Sequence, residues 1–380
     1  MKNKKKNTNG QRFLPLAIMV MIGVFCGLAL PNALDPLTAR AETLGDFLLA
    51  YFVFLLSAFA AFVFHVIVHE GGHLVFGLLS GYRFCSFRIF SLMWVKEQGK
   101  LKTRRLSLAG TAGQCLMAPP DMVDGKIPVF LYNMGGSMMN GIFTVIFFGL
   151  YMALKPFPVP CAVMLVFAMI GLVLGLSNAI PMRTELIAND GYNAISLSKD
   201  PQALRAFWVQ MKVVEQTAMG IRIKDMPPEW FTLPSEEAMK NSMVATVGVF
   251  ACSRLMDENR LEEARALMER LLSAKISLSG IHRNIMINDL IFIETVGENR
   301  PEVIQSMLTK EFLAFRKSMA TYPTVLRTQY ACALITDRDS QKAAQLKQQF
   351  EKVAKKYPYP CELEQEYEFL QLAEQKAQLN

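Results

Sequence analysis

The chain has 380 residues, of which 52% are hydrophobic and 19% charged, and its formal net charge is +7. That length allows two or three domains, while the charged share lies below the roughly one quarter usual for soluble ones. The apolar excess falls before about residue 190 and excludes a uniformly soluble protein. Many basic residues flank apolar stretches, where they set membrane orientation, so no nucleic-acid partner is expected.

Four stretches are long enough to cross a hydrocarbon core, which needs about 20 apolar residues. The first runs from Phe13 to Ala33, behind the basic cluster Lys2, Lys4, Lys5, Lys6 and Arg12. Ala39-Arg40-Ala41 resembles a signal-peptide cleavage site, but the apolar region is long for a signal and a retained helix is expected. The second extends from Phe47 to Ser80. As one helix it would reach about 50 Å, so it must tilt, project from the bilayer, or break at Gly71-Gly72. The third runs from Ile127 to Leu154 and the fourth from Cys161 to Ile180.

Lys and Arg are concentrated in the N-terminal arm and in the loop from Gly81 to Lys126, whereas Pro31 to Thr43 holds only Arg40. By the positive-inside bias, the expectation is a multi-pass cell-membrane protein with four crossings and both termini cytoplasmic. Seven cysteines (Cys26, Cys85, Cys115, Cys161, Cys252, Cys332, Cys361) form no CxxC pair, so neither disulfides nor thiolate metal sites are expected.

Chemistry enters in the second span, at His69-Glu70-Gly71-Gly72-His73. Residues at i and i+4 share a helical face, so His69 and His73 can present imidazoles to one metal ion. Glu70, about 100° around the helix, can accept a proton from a metal-bound water without being a ligand. Zinc brings the pKa of such a water towards 7. The chain has only 4 histidines, and His65, His69 and His73 lie on one face of an apolar helix, where ionisable groups are costly and functional by default. His65 can contact the metal site or substrate, or simply hydrogen-bond a neighbouring helix; the last reading is preferred.

Two histidines leave a catalytic zinc one protein ligand short. Pro181 ends or kinks the fourth span, and chain that leaves helical geometry at membrane depth must line a cavity or be covered by protein. Asp190, followed by Gly191, can fold back to the metal; Glu185 is its rival. In the third span, Gly135-Gly136-Ser137-Met138-Met139-Asn140 combines small residues that let helices approach with an Asn that needs a partner in lipid. Asn140, and Asn178 near the inner end of the fourth span, suit either an interhelical hydrogen bond or a catalytic role.

HEGGH, then GGSMMN, then Asn178-Ala179-Ile180-Pro181 followed by Asn189-Asp190-Gly191, in successive spans, resemble the site-2 protease family of intramembrane metalloproteases. The likeness covers residues 45–195. It implies a three-helix protease core with Zn2+ held by His69, His73 and Asp190. It also implies Glu70 as base and Asn140 and Asn178 near the substrate strand. Two departures stand out: Asp190 follows Pro181 by nine positions with Arg183 and Glu185 between, and Asn189 replaces a common Leu. In the family, the loop after the HExxH span often forms a hairpin or re-entrant segment; here an ordinary cytoplasmic loop fits Leu108 to Gln114 equally well.

From about Pro201 the pattern becomes helical with charged faces. Asp257-Glu258-Asn259-Arg260, Gly297-Glu298-Asn299-Arg300 and Asp337-Arg338-Asp339-Ser340 recur at a period of about 40, each closing one helix and opening the next. The pattern resembles stacked tetratricopeptide-like hairpins, a scaffold for protein contact.

The expected fold is therefore all-α: a polytopic membrane bundle of four spans, then a cytoplasmic tetratricopeptide-like α-solenoid. The expected divisions are 1–44 (basic arm and first span), 45–195 (protease core), 196–236 (linker helix and loop) and 237–380 (helical domain). The expected function is hydrolysis of peptide bonds in a membrane-anchored protein substrate near the cytoplasmic face, with a further protein partner on the helical tail. The alternative is a membrane scaffold or receptor with a structural metal site.

Overall fold

The computed structural model describes residues 8–39, 41–97, 99–106, 111–182 and 189–379. Packing divides it into two units, Met1–Gly81 with Pro128–Lys199, and Tyr82–Ile127 with Asp200–Asn380.

The first unit is a helix bundle. Helices α1 (Thr8–Thr38), α2 (Leu44–Leu79), α3 (Phe130–Ala153) and α4 (Pro158–Ala179) are joined by a short α5 (Asp190–Lys199). All four long helices are long and apolar enough to cross a membrane. Their outer faces carry large exposed apolar residues: Phe52, Leu55, Leu56 and Phe59 on α2 are each more than half exposed. Such a surface suits lipid and would be an aggregation liability in water. Inside, Ala33, Ala61, Leu165 and Val166 pack α1, α2 and α4 together. Thr43 caps α2, its hydroxyl accepting from the Asp46 amide while the Asp46 carboxylate accepts from the Thr43 amide. The 36-residue helix that follows is unbroken through Gly71 and Gly72. Gly72 thus serves packing rather than a break.

The second unit corrects the all-α expectation. Four strands form an antiparallel sheet of order β3-β2-β1-β4, from β1 (Arg83–Ile89), β2 (Leu92–Glu97), β3 (Lys100–Arg105) and β4 (Gly113–Ala118). The signal is alternation: in β2, Met93 and Val95 are buried between partly or fully exposed neighbours, the period-2 pattern of a half-buried strand. Basic residues obscured it, because β3 is an edge strand bearing Lys100, Lys102, Arg104 and Arg105, charges that keep an open edge from pairing with another chain. Glu97 pairs with Lys102 and Arg104 across that edge.

Residues 196–236, expected as a linker helix and loop, contain α6 (Pro201–Ala218), whose buried Phe207, Val209 and Val213 belong to the core of this unit. The Trp208 indole donates to the Pro120 carbonyl at 3.0 Å and Lys212 pairs with Asp121, which hold the sheet on α6. Beyond it run α7 (Ser242–Asp257), α8 (Leu261–Ser273), α9 (Gly280–Val296), α10 (Pro301–Met307), α11 (Lys310–Ser318), α12 (Pro323–Ala331), α13 (Ser340–Ala354) and α14 (Pro360–Leu379). The recurring sequence groups fall at the α7–α8, α9–α10 and α12–α13 turns. Each contains one left-handed residue, Asn259, Asn299 and Arg338, with φ of 56°, 50° and 52°.

Candidate metal centre

The close approach of α2 and α3 builds the site. A Cβ on Gly72 would overlap the Gly135 carbonyl, and one on Gly135 would come within 2.6 Å of the Gly72 carbonyl oxygen. Only two glycines let the backbones meet at this distance. Gly136 opens room for an imidazole, since its Cβ would lie 2.5 Å from His69 Cε1. Gly71, by contrast, has nothing within 4 Å of such a position.

Asp190 reaches this crossing from the far end of α4. The helix stops at Ala179 with Ile180 extended, and Pro181 follows. Asn189 then ties the return. Its side-chain oxygen accepts from the Met182 and Tyr192 amides at 2.9 and 3.0 Å, and its side-chain nitrogen donates to the Ser177 and Ile180 carbonyls. It thereby caps the start of α5 and satisfies carbonyls left orphaned at the end of α4. A Cβ on Gly191 would overlap the Ala179 carbonyl, so the Asp-Gly pair seats α5 directly on the α4 terminus.

Three side chains converge. His69 Nε2 and Asp190 Oδ2 are 3.0 Å apart, His73 Nε2 and Asp190 Oδ2 3.4 Å, and the two Nε2 atoms 3.2 Å. His73 Nδ1 lies 2.7 Å from the Tyr132 carbonyl oxygen, which can only accept, so Nδ1 carries the proton and Nε2 presents its lone pair. Asp190 Oδ2 is buried and, among the described residues, has no hydrogen-bond partner. Ligands at about 2.0–2.1 Å in tetrahedral array lie about 3.3 Å from one another, and the three separations cluster around that value. Electron-pair donors gathered at this spacing repel one another unless a cation lies between them, and the donor set fits zinc.

The other sequence candidates fall in different places. Glu70 is buried on α2 beside His69. Asn140 is fully buried behind the histidines, its amide 3.1 Å from His65 Nδ1 and 3.3 Å from His69 Nδ1. His65 also meets the Phe167 carbonyl at 3.0 Å, so it bonds to both neighbouring helices, as preferred from sequence. The Asn178 amide donates to the Leu174 carbonyl within α4. Glu185, the rival ligand, and Arg183 lie outside the described residues. Sequence reasoning missed the Tyr132 carbonyl, which no side-chain motif can announce, and Asn189, whose position just before a helix start is an N-cap signal.

No protein-family model, curated protein or solved structure matches the chain.

Proposed function

We propose that the protein is an intramembrane zinc metalloendopeptidase of the site-2 protease type, cleaving membrane-anchored proteins near the cytoplasmic face. The triangle of two imidazole nitrogens and one carboxylate oxygen at 3.0, 3.2 and 3.4 Å carries this reading. His69, His73 and Asp190 hold the ion. Zinc, when bound, supplies Lewis acidity and a water that is acidic near neutral pH. The Glu70 carboxylate takes the proton of the attacking water and delivers it to the departing amine. The substrate helix must unwind locally, because a helical carbonyl is already hydrogen-bonded and shielded.

The basic residues of the N-terminal arm and of the 81–126 segment support cytoplasmic termini. The left-handed residues at the three recurring turns support a tetratricopeptide-like solenoid that engages a protein partner.

A scaffold with a structural metal is the second reading. Structural zinc sites close with four protein ligands, whereas three donors converge here among the described residues, which favours a position left open for water. The test is zinc content and cleavage of co-expressed membrane-anchored proteins by wild type, Glu70→Gln and Asp190→Ala. Wild type should carry about one zinc per chain and cleave, Glu70→Gln should keep zinc without cleaving, and Asp190→Ala should lose zinc. Normal cleavage by Glu70→Gln would refute the assigned base.

A further inference from the structure

His65 and Asn140 take no direct part in the reading above, yet both are fully buried in the bundle and Asn140 reaches His69. The His65 ring sits in a slot made by Gly171, where a Cβ would overlap the imidazole, and it meets the edges of Phe64 and Phe147. Its two nitrogens face different partners. Nε2 is 3.0 Å from the Phe167 carbonyl oxygen, and Nδ1 is 3.1 Å from the Asn140 side-chain oxygen, whose amide nitrogen lies 3.3 Å from His69 Nδ1.

A carbonyl oxygen only accepts, so His65 Nε2 must carry a proton. With the Asn140 oxygen at Nδ1, as the atoms are placed, the ring would need both protons and a cation would lie among phenylalanine rings, far from water, which is costly; turning the amide over removes that cost. The neutral ring instead needs a donor at Nδ1. Asn140 supplies one if its NH2 faces His65 and its oxygen faces His69. The two ends of an amide are nearly isosteric, so this orientation keeps both contacts. The Asn140 oxygen then accepts from His69 Nδ1–H, across 3.3 Å. A neutral His69 protonated at Nδ1 has its lone pair on Nε2, the nitrogen aimed at Asp190 and His73.

We propose that His65 and Asn140 form a directional hydrogen-bond chain, from the Phe167 carbonyl through both side chains to His69 Nδ1, that sets the metal-binding tautomer of His69. Both are positioning residues. The proposal rests on the reading of His69, His73 and Asp190 as a metal site. His73 is set the same way by one backbone carbonyl; His69 has two side chains in its place.

The test uses the full-length protein in detergent. Nitrogen-15 NMR of labelled histidine reads the tautomers directly, and with 4 histidines in the chain the signals can be assigned by single substitutions. The expected result is His65 neutral with its proton on Nε2, and His69 protonated at Nδ1. Zinc affinity, read by competition with a chromophoric chelator, should fall about 10–100-fold in Asn140→Leu, the range typical of lost partners behind a ligand. Asn140→Asp, which still accepts from His69 Nδ1–H, should recover most of that loss. His65 protonated at Nδ1, or wild-type zinc affinity in Asn140→Leu, overturns the proposal. A wild-type protein that binds no zinc refutes the metal reading instead, and the His65 tautomer still decides the chain.

Discussion

Both units bury polar groups, and they do so to opposite ends. In the helices of the C-terminal unit the buried charges meet their opposites. Glu294, with no exposed surface, accepts from Arg265 at 2.8 Å and from the Arg300 backbone and guanidinium at 2.8–3.0 Å. Arg327 bridges Asp289 and Glu366 and stacks on Phe292, 4.2 Å from the ring centre. In the membrane unit, His69, His73 and Asp190 gather at 3.0–3.4 Å around one point. A closed network stabilises a fold. An open triangle of donors could hold a cation, and its polar support lies in Tyr132, Asn140 and His65.

The contrast can be broken at four places. Glu70→Gln should cost at least about 100-fold in cleavage rate, the lower bound for losing a general base, with zinc content unchanged. Equal loss of zinc and activity would make Glu70 a structural residue. Gly72→Ala should weaken the α2–α3 crossing by about 1–3 kcal/mol or more, because a methyl must displace the Gly135 backbone. Thermal unfolding in detergent and zinc retention report it together, and a wild-type result would mean the helices do not meet at these glycines.

Glu294→Gln should destabilise the protein by about 2 kcal/mol, below the usual cost of opening a buried pair because Arg300 reaches water. The Arg300 and Arg265 guanidinia hold the Glu294 carboxyl down at about 2. A depressed carboxylate stabilises fully above its unfolded value, about 4.3, and that contribution is lost as pH falls through about 2. Acid unfolding followed by circular dichroism should therefore be shallower in Glu294→Gln over that window. The smallest effect belongs to Gly71→Ala, which meets open space and should change stability by under about 1 kcal/mol, towards stabilisation if anything. A large loss there would show that Gly71 faces a partner.

The membrane unit was legible because its chemistry is local. The histidine spacing, the small residues of α3 and the Asp-Gly after Pro181 each follow from one helix or one turn. Spacing alone left Asp190 and Glu185 as rivals, and only the return of the chain onto the α4 terminus brings Asp190 to the imidazoles. The sheet was less legible. Its strands are 6–7 residues long, and its edge is written in lysine and arginine that also read as topology signals. The prolines after α6 mark a linker between it and the later helices, whereas the core residues on its apolar face appear only in the packing. At Asn178 the motif left a structural and a catalytic role open, and its amide donates within its own helix.

The Asn189 knot has an evolutionary corollary. Met182 and Asn189 are joined backbone to backbone as well as through the Asn189 side chain, so the chain is back at Asn189 where it was at Met182. Substitutions between these two anchors can accumulate without dragging Asp190 from its station. The nine positions from Pro181 are then no obstacle to placing the acid, because distance along the chain has been uncoupled from distance in space.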